Sequence, residues 1–210
     1  MFRRRRPPVL AELPAGAGES VRPGSLSRAE LAPLDGLLKA MGDARVLLAT
    51  GMEAKSVLAL GLATVAAAEG RRTALVECDL VLPSLAPRLG LDPAPGLREY
   101  LRQEAEAPQI LQPLVLAGPA SGRAVAPLAC VVAGEQVEDG LPLLDSEGFR
   151  HAVAKLRSAY DLVVLDGPPL EDVPSLLAVV ARADRTLACG PKSDLPRKPK
   201  VPVDGLVLQV

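Results

Sequence analysis

Between residues 46 and 79 the chain passes from a short apolar run (46–49) through a tight loop (50–54) into a long Ala/Leu/Val-rich segment starting at Lys55. Gly70 closes that segment, and a second apolar run (73–76) ends in Glu77, Cys78 and Asp79. Strand, loop, helix and strand in that order make a βαβ unit, whose two strands are expected to be parallel neighbours joined by a right-handed crossover. The chain is 49% apolar, led by Leu, Ala and Val, yet only 2% aromatic. Small branched aliphatics without aromatic filler suit strands covered on both faces.

The rest of the chain repeats the alternation. A helix is expected over 28–41, with Ser27 as its cap and apolar positions Leu31, Leu34, Leu37, Leu38 and Met41 at helical spacing. Short helices are read at 84–89 and 97–104, and strands at 114–116 and 129–133. A helix over 146–158 feeds a strand over 161–166, followed by a helix over 173–183 and strands at 185–189 and 205–210. The expected fold class is α/β, a doubly wound and mainly parallel sheet with helices on both faces. Residues 1–27, rich in Pro, Gly, Ser and Arg, read as a flexible basic arm. Residues 28–190 form the domain, and 191–210 supply a Pro/Lys linker and a final strand that completes it.

A formal net charge of −1 over 210 residues argues against nucleic acid as a partner, because neutralising several phosphates needs a basic face. The run Arg3, Arg4, Arg5 and Arg6 precedes two prolines and no long apolar stretch, so the chain reads as cytoplasmic. That run is either a solvated tail or a contact with anionic lipid at the inner membrane face, where each residue contributes about 1 kcal/mol. Cys78, Cys130 and Cys189 lie far apart in or beside apolar runs and read as buried thiols.

A phosphate site in such a fold needs backbone amides at a helix N-terminus, a lysine for the terminal phosphates, a hydroxyl for Mg²⁺ and a carboxylate behind the metal. The loop Thr50, Gly51, Met52, Glu53 and Ala54 leads into Lys55 and Ser56, while Asp79 and Asp166 end two apolar strands. Lys55 is informative, since a cation in the first turn opposes the helix dipole at about 0.3–1 kcal/mol unless an anion accompanies it. Its bland counterpart is an exposed, solvent-facing lysine; for the two aspartates it is a turn or cap residue. Against the pattern G-x-x-x-x-G-K-[ST], Ala49 and Ala54 replace both glycines. The Ala54 methyl is expected to crowd the phosphates or strain the loop. Gly167, Pro168 and Pro169 are expected to end the strand sharply at Asp166.

From Arg45 to Ala188 the chain resembles the cytoplasmic ATPase domain of bacterial tyrosine autokinases and related polysaccharide-export regulators, within the ParA/MinD group of P-loop proteins. Glu53-Ala54-Lys55-Ser56 is similar to that family's Gly-Glu-Gly-Lys-Ser loop. The stretch from Ala74 to Leu85 resembles its second acidic motif, with Glu77 for the first aspartate and Val81 and Leu82 for arginines. Gly90-Leu91-Asp92, Pro95-Gly96-Leu97 and Tyr100-Leu101 are similar to the family's next stretch of sequence. Tyr160-Asp161 through Asp166-Gly167-Pro168-Pro169 resembles its Walker B segment, with Gly167 for a threonine; further on, Ser175 stands for an aspartate.

The resemblance implies ATP with Mg²⁺, Lys55 on the phosphates, Ser56 on the metal, and Asp79 and Asp166 around the metal and its waters. It implies an inner-membrane polysaccharide chain-length regulator as partner and leaves homo-oligomerisation open. The arginine-rich assembly signature is absent near Arg28, and the only tyrosines are Tyr100 and Tyr160, both inside the domain. Three functions are compatible with these residues: an ATP-binding regulatory subunit with weak or no phosphotransfer, an active ATPase or protein-tyrosine kinase, and a non-catalytic interaction module.

Overall fold

A computed structural model describes residues 7–13, 28–52, 54–115, 127–196 and 198–210. The strands are β1 (Val9–Leu13), β2 (Val46–Gly51), β3 (Thr73–Glu77), β4 (Gln112–Leu114), β5 (Leu128–Val131), β6 (Leu162–Pro169), β7 (Arg185–Pro191) and β8 (Gly205–Gln209). The helices are α1 (Arg28–Ala40), α2 (Lys55–Ala68), α3 (Leu85–Leu89), α4 (Leu97–Leu101), α5 (Ala107–Ile110), α6 (Leu141–Leu144), α7 (Glu147–Ala159) and α8 (Val173–Val180). All eight strands join one sheet in the order β1-β8-β7-β2-β6-β3-β5-β4. Only β4 runs antiparallel to its neighbour.

Period-two alternation sorts the sheet's side chains between two cores. Leu47, Ala49, Leu75, Leu162 and Val164 point to the face covered by α1 and α2. Val46, Leu48, Val76, Val163 and Leu165 point to the face covered by α4, α7 and α8. The doubly wound α/β architecture is therefore present, and the covering helices follow from local chemistry. Ser146 caps α7 by accepting from the Phe149 amide at 3.1 Å, and Phe149 is fully buried beneath it. Asp172 caps α8 in the same way through Ser175. On α2 every residue from Lys55 to Ala63 is buried, so this helix is held by packing on both sides rather than by a cap.

Several boundaries differ from those read in the sequence. Strands β2 and β3 are parallel but not neighbours, because β6, apolar from Leu162 to Leu165, inserts between them and pairs with both. Asp166 does not end its strand: β6 continues through Gly167 to Pro169, where Gly51 of β2 is its partner. A parallel partner can use the proline carbonyls although the prolines donate nothing, and the Thr50 hydroxyl donates to Pro168 O at 2.7 Å. Val9–Leu13, inside the segment read as an arm, forms edge strand β1, in parallel register with β8. Its five residues are too few for a periodic signal. The fourth strand starts at Gln112, earlier than read, and Leu116 lies outside the described residues, as do Ser27 and the four-arginine run. In the stretch read as a linker, Leu195 and Val201 are buried. Among the described residues no helix is long and apolar enough to cross a membrane.

Gly51 ends β2 at φ +139°, where a Cβ would lie 1.9 Å from Cys189 O of β7. Gly51→Ala should therefore lower unfolding stability by about 3 kcal/mol, since it combines a left-handed backbone with a clash against main chain. Urea denaturation of the variant beside the parent checks this.

Candidate nucleotide site

Three elements deliver charge to the carboxyl edge of the sheet. Lys55 opens α2, Asp79 follows β3, and Asp166 sits within β6, in register with Ala49 on one side and Glu77 on the other. Lys55 Nζ lies 3.0 Å from Asp79 Oδ2 and 3.6 Å from Asp166 Oδ1. The three side chains are only 10%, 6% and 0% exposed, so this is a buried ion cluster and not a surface pair. The solvent-facing lysine of the sequence reading is thus corrected: β6 and β3 bring two carboxylates under the first turn of α2, and their charge draws the ammonium inward.

The cluster is unevenly satisfied. Asp79 also accepts from the Leu82 amide at 3.0 Å through Oδ1. Both oxygens of Asp166 lack a hydrogen bond among the described residues. Burial works against the Lys55 charge, but Asp166, Asp79 and Glu77 together hold its pKa above the ordinary lysine value. Burial pushes the Asp166 carboxyl up, with the Lys55 charge and then the nearby Ser56 hydroxyl opposing it. Since Asp79 already grips the ammonium at the shorter distance, Asp166 is the member whose charge is least well compensated.

Glu77 plays a part that sequence reasoning did not find. Its Oε1 accepts from the amides of Ser84 and Leu85, and its Oε2 from Ala133 N at 3.0 Å. Burial raises its pKa while these three donors lower it. The carboxylate ties the start of α3 to the segment after β5 and so fixes the loop that carries Asp79. Its signal in the sequence, an acid ending an apolar strand, is the same for a metal ligand and for a backbone clamp.

Thr50, Gly51 and Met52 lie at the β2 end of the loop, with the Met52 amide donating to Cys189 O at 3.2 Å. Glu53 lies outside the described residues. Ala54 has φ −81° and ψ −3° and its methyl packs in the core, so right-handed backbone accommodates it without strain. Ser56 Oγ lies 3.3 Å from Ser84 Oγ. A Cβ at Gly167 would meet Leu48 Cδ1 at 2.5 Å and Ala49 O at 3.1 Å, so a threonine there requires the Leu48 side chain to shift. The three cysteines are buried and unpaired.

No protein-family model matches the chain. Succinoglycan biosynthesis transport protein ExoP of Rhizobium meliloti is 32% identical over 139 residues, which are 64% of this chain and 16% of that protein. Tyrosine-protein kinase wzc of Salmonella typhimurium is 29% identical over 145 residues, 68% of this chain and 19% of that protein. The chain thus spans less than a fifth of the length of these curated relatives. The kinase domain of Escherichia coli tyrosine kinase ETK superposes with a TM-score of 0.76 at 18% identity, over 96% of this chain and 89% of that one. The septum site-determining protein MinD of Pyrococcus horikoshii, complexed with Mg-ADP, superposes with a TM-score of 0.55 at 16% identity, over 73% of this chain and 61% of that one.

This is a P-loop fold of the ParA/MinD type, with bacterial tyrosine-protein kinases among its homologues. In a P-loop domain the edge where Lys55, Asp79 and Asp166 meet is the usual ligand edge of an open sheet. Removing the lysine leaves two buried carboxylates without a cation, a loss worth about 3–5 kcal/mol. Lys55→Ala should therefore unfold at distinctly lower denaturant than the parent near neutral pH. The deficit should shrink on acidification. An acid whose folded pKa is raised binds protons more tightly folded than unfolded, so stability is lost as pH rises through that window and regained below it. Denaturant midpoints at several pH values check both statements.

Proposed function

We propose that the chain is an ATP-binding P-loop subunit of bacterial polysaccharide synthesis and export, acting as a regulatory partner with weak or no phosphotransfer. The observation that carries this reading is the meeting of Lys55, Asp79 and Asp166 at the carboxyl edge, in the first turn of the helix that follows β2. The names of the relatives supply the process: succinoglycan biosynthesis for one, tyrosine-protein kinase for another.

The residues present fit Mg-ATP. Asp166 offers two buried oxygens without hydrogen bonds among the described residues, which suits an ion held through waters, and Ser56 offers a hydroxyl one position after the lysine. Lys55 would hold the terminal phosphates, and the loop from Thr50 to Lys55 would wrap them once the Met52 and Lys55 amides, which here donate to Cys189 O and Met52 O, are turned toward the ligand. Ser56, Asp79 and Asp166 would hold the metal, whose contribution is to neutralise charge between the last two phosphates. Glu77, occupied by three amides, positions the Asp79 loop and stays outside the metal's shell.

Weak phosphotransfer is expected from how the side chains start. Lys55 must leave a buried ion cluster before it meets a phosphate. The two tyrosines are held by packing: Tyr160 against the second core, and Tyr100 with its hydroxyl accepting from Lys155 Nζ at 3.3 Å. An inner-membrane chain-length regulator is the proposed partner, with the protein peripheral at the membrane and open to self-association. The non-catalytic module remains as a second reading, favoured by one observation: Lys55 already has its countercharges without any ligand.

Calorimetric titration of ATP with and without Mg²⁺ tests the proposal. The parent should bind, Lys55→Ala should not, and Ala54→Gly should bind no tighter than the parent, because the methyl it removes packs in the core and does not crowd the phosphates as the sequence suggested. Absence of ATP binding by the parent would give the non-catalytic reading its place. Intact-mass measurement after incubation with ATP and Mg²⁺ should show no added phosphate on either tyrosine.

A further inference from the structure

We infer that Lys55 is a built-in stand-in for the metal ion, so that the site takes a divalent cation together with a polyphosphate and refuses the free ion. The inference rests on the nucleotide reading and adds to it the order in which the site's charges exchange.

The geometry sets two conditions that a free ion cannot meet. Lys55 Nζ occupies the space between Asp79 Oδ2 at 3.0 Å and Asp166 Oδ1 at 3.6 Å, where a cation bridging these carboxylates would sit. An entering ion must therefore displace the ammonium. The lysine side chain is 10% exposed, so a displaced ammonium left inside the first turn of α2 would be a buried charge without a partner, a costly state. A polyphosphate removes the obstacle. Its terminal oxygens accept the ammonium, the carboxylates are released, and the ion then neutralises two acids and the phosphates at once. Metal and phosphate thus favour each other's binding, and the coupling is reciprocal.

The second, independent observation is Asp166. It is fully buried, both its oxygens lack a hydrogen bond among the described residues, and its ion-pair partner is the Lys55 ammonium. A carboxylate built only to pair with Lys55 would be expected at hydrogen-bonding distance, as Asp79 is. At 3.6 Å it is near enough to be neutralised and free enough to change partner.

Mn²⁺ binding, followed by its room-temperature electron paramagnetic resonance signal without nucleotide, is the direct test. The parent should bind Mn²⁺ at least about tenfold more weakly than Lys55→Met, which keeps the side-chain length and removes the charge. Mn²⁺ should also raise the melting temperature of Lys55→Met and leave the parent's unchanged, because a ligand stabilises the form it binds. The double variant Lys55→Met/Asp166→Asn should lose the gained affinity. Should Lys55→Met prove unfolded, Mn²⁺ in the millimolar range should refold it, and failure to refold would overturn the inference. Equal Mn²⁺ affinity in the parent and Lys55→Met would overturn it too. These measurements contain no ATP, so a parent that binds no nucleotide would sink the proposed function while leaving the charge exchange to be judged by Mn²⁺ alone.

Discussion

A carboxylate wholly shielded from water is among the least favourable charges a fold can carry unless it is compensated, and Asp166 is such a group, offset by the Lys55 ammonium and the Ser56 hydroxyl. Much around it can be read as provision for that charge. Strand β6 must be central, so that Asp166 lies between β2 and β3. Helix α2 must begin where it does, so that Lys55 reaches over β6. Loop 78–84 must return Asp79 to the same spot, and Glu77 holds that loop with three backbone amides. The sheet's apolar strands supply the rigidity, while the charges at its edge supply the chemistry.

The fold was legible because its strongest signals are periodic and long: α2, α7 and the apolar strands β2, β3 and β6 stand where the sequence puts them, within a few residues. The topology was less so. That β6 separates β2 from β3 depends on which apolar strand wins the central place, a competition among non-local contacts that no local pattern encodes. Strand β1 is short and Pro-flanked, and its pairing with β8 lies at the far end of the chain. The site residues Lys55, Asp79 and Asp166 were found by type and position, and the structure does bring them together. Their state was not, because a lysine at a helix start looks the same whether it faces solvent or two buried acids.

Substitutions at the loop gain meaning from the backbone. A glycine is required where φ is positive or main chain is close, and Gly51 meets both conditions. Ala54 meets neither, since its backbone is helical and its methyl fills core space. The missing glycine therefore costs this fold nothing. Gly167 stands between the two, since its closest neighbour is the end of the Leu48 side chain and not main chain.

The pairing of β1 with β8 gives the sheet a mechanical character. The two strands run parallel, from Val9 beside Leu206 to Leu13 beside Gln209. The start of one and the end of the other consequently lie at opposite ends of the ladder. Tension applied between residues 9 and 209 would load these hydrogen bonds in shear, all at once, instead of peeling them apart in sequence. A domain tethered through these two strands would resist being pulled open along that line far better than one whose terminal strands were antiparallel.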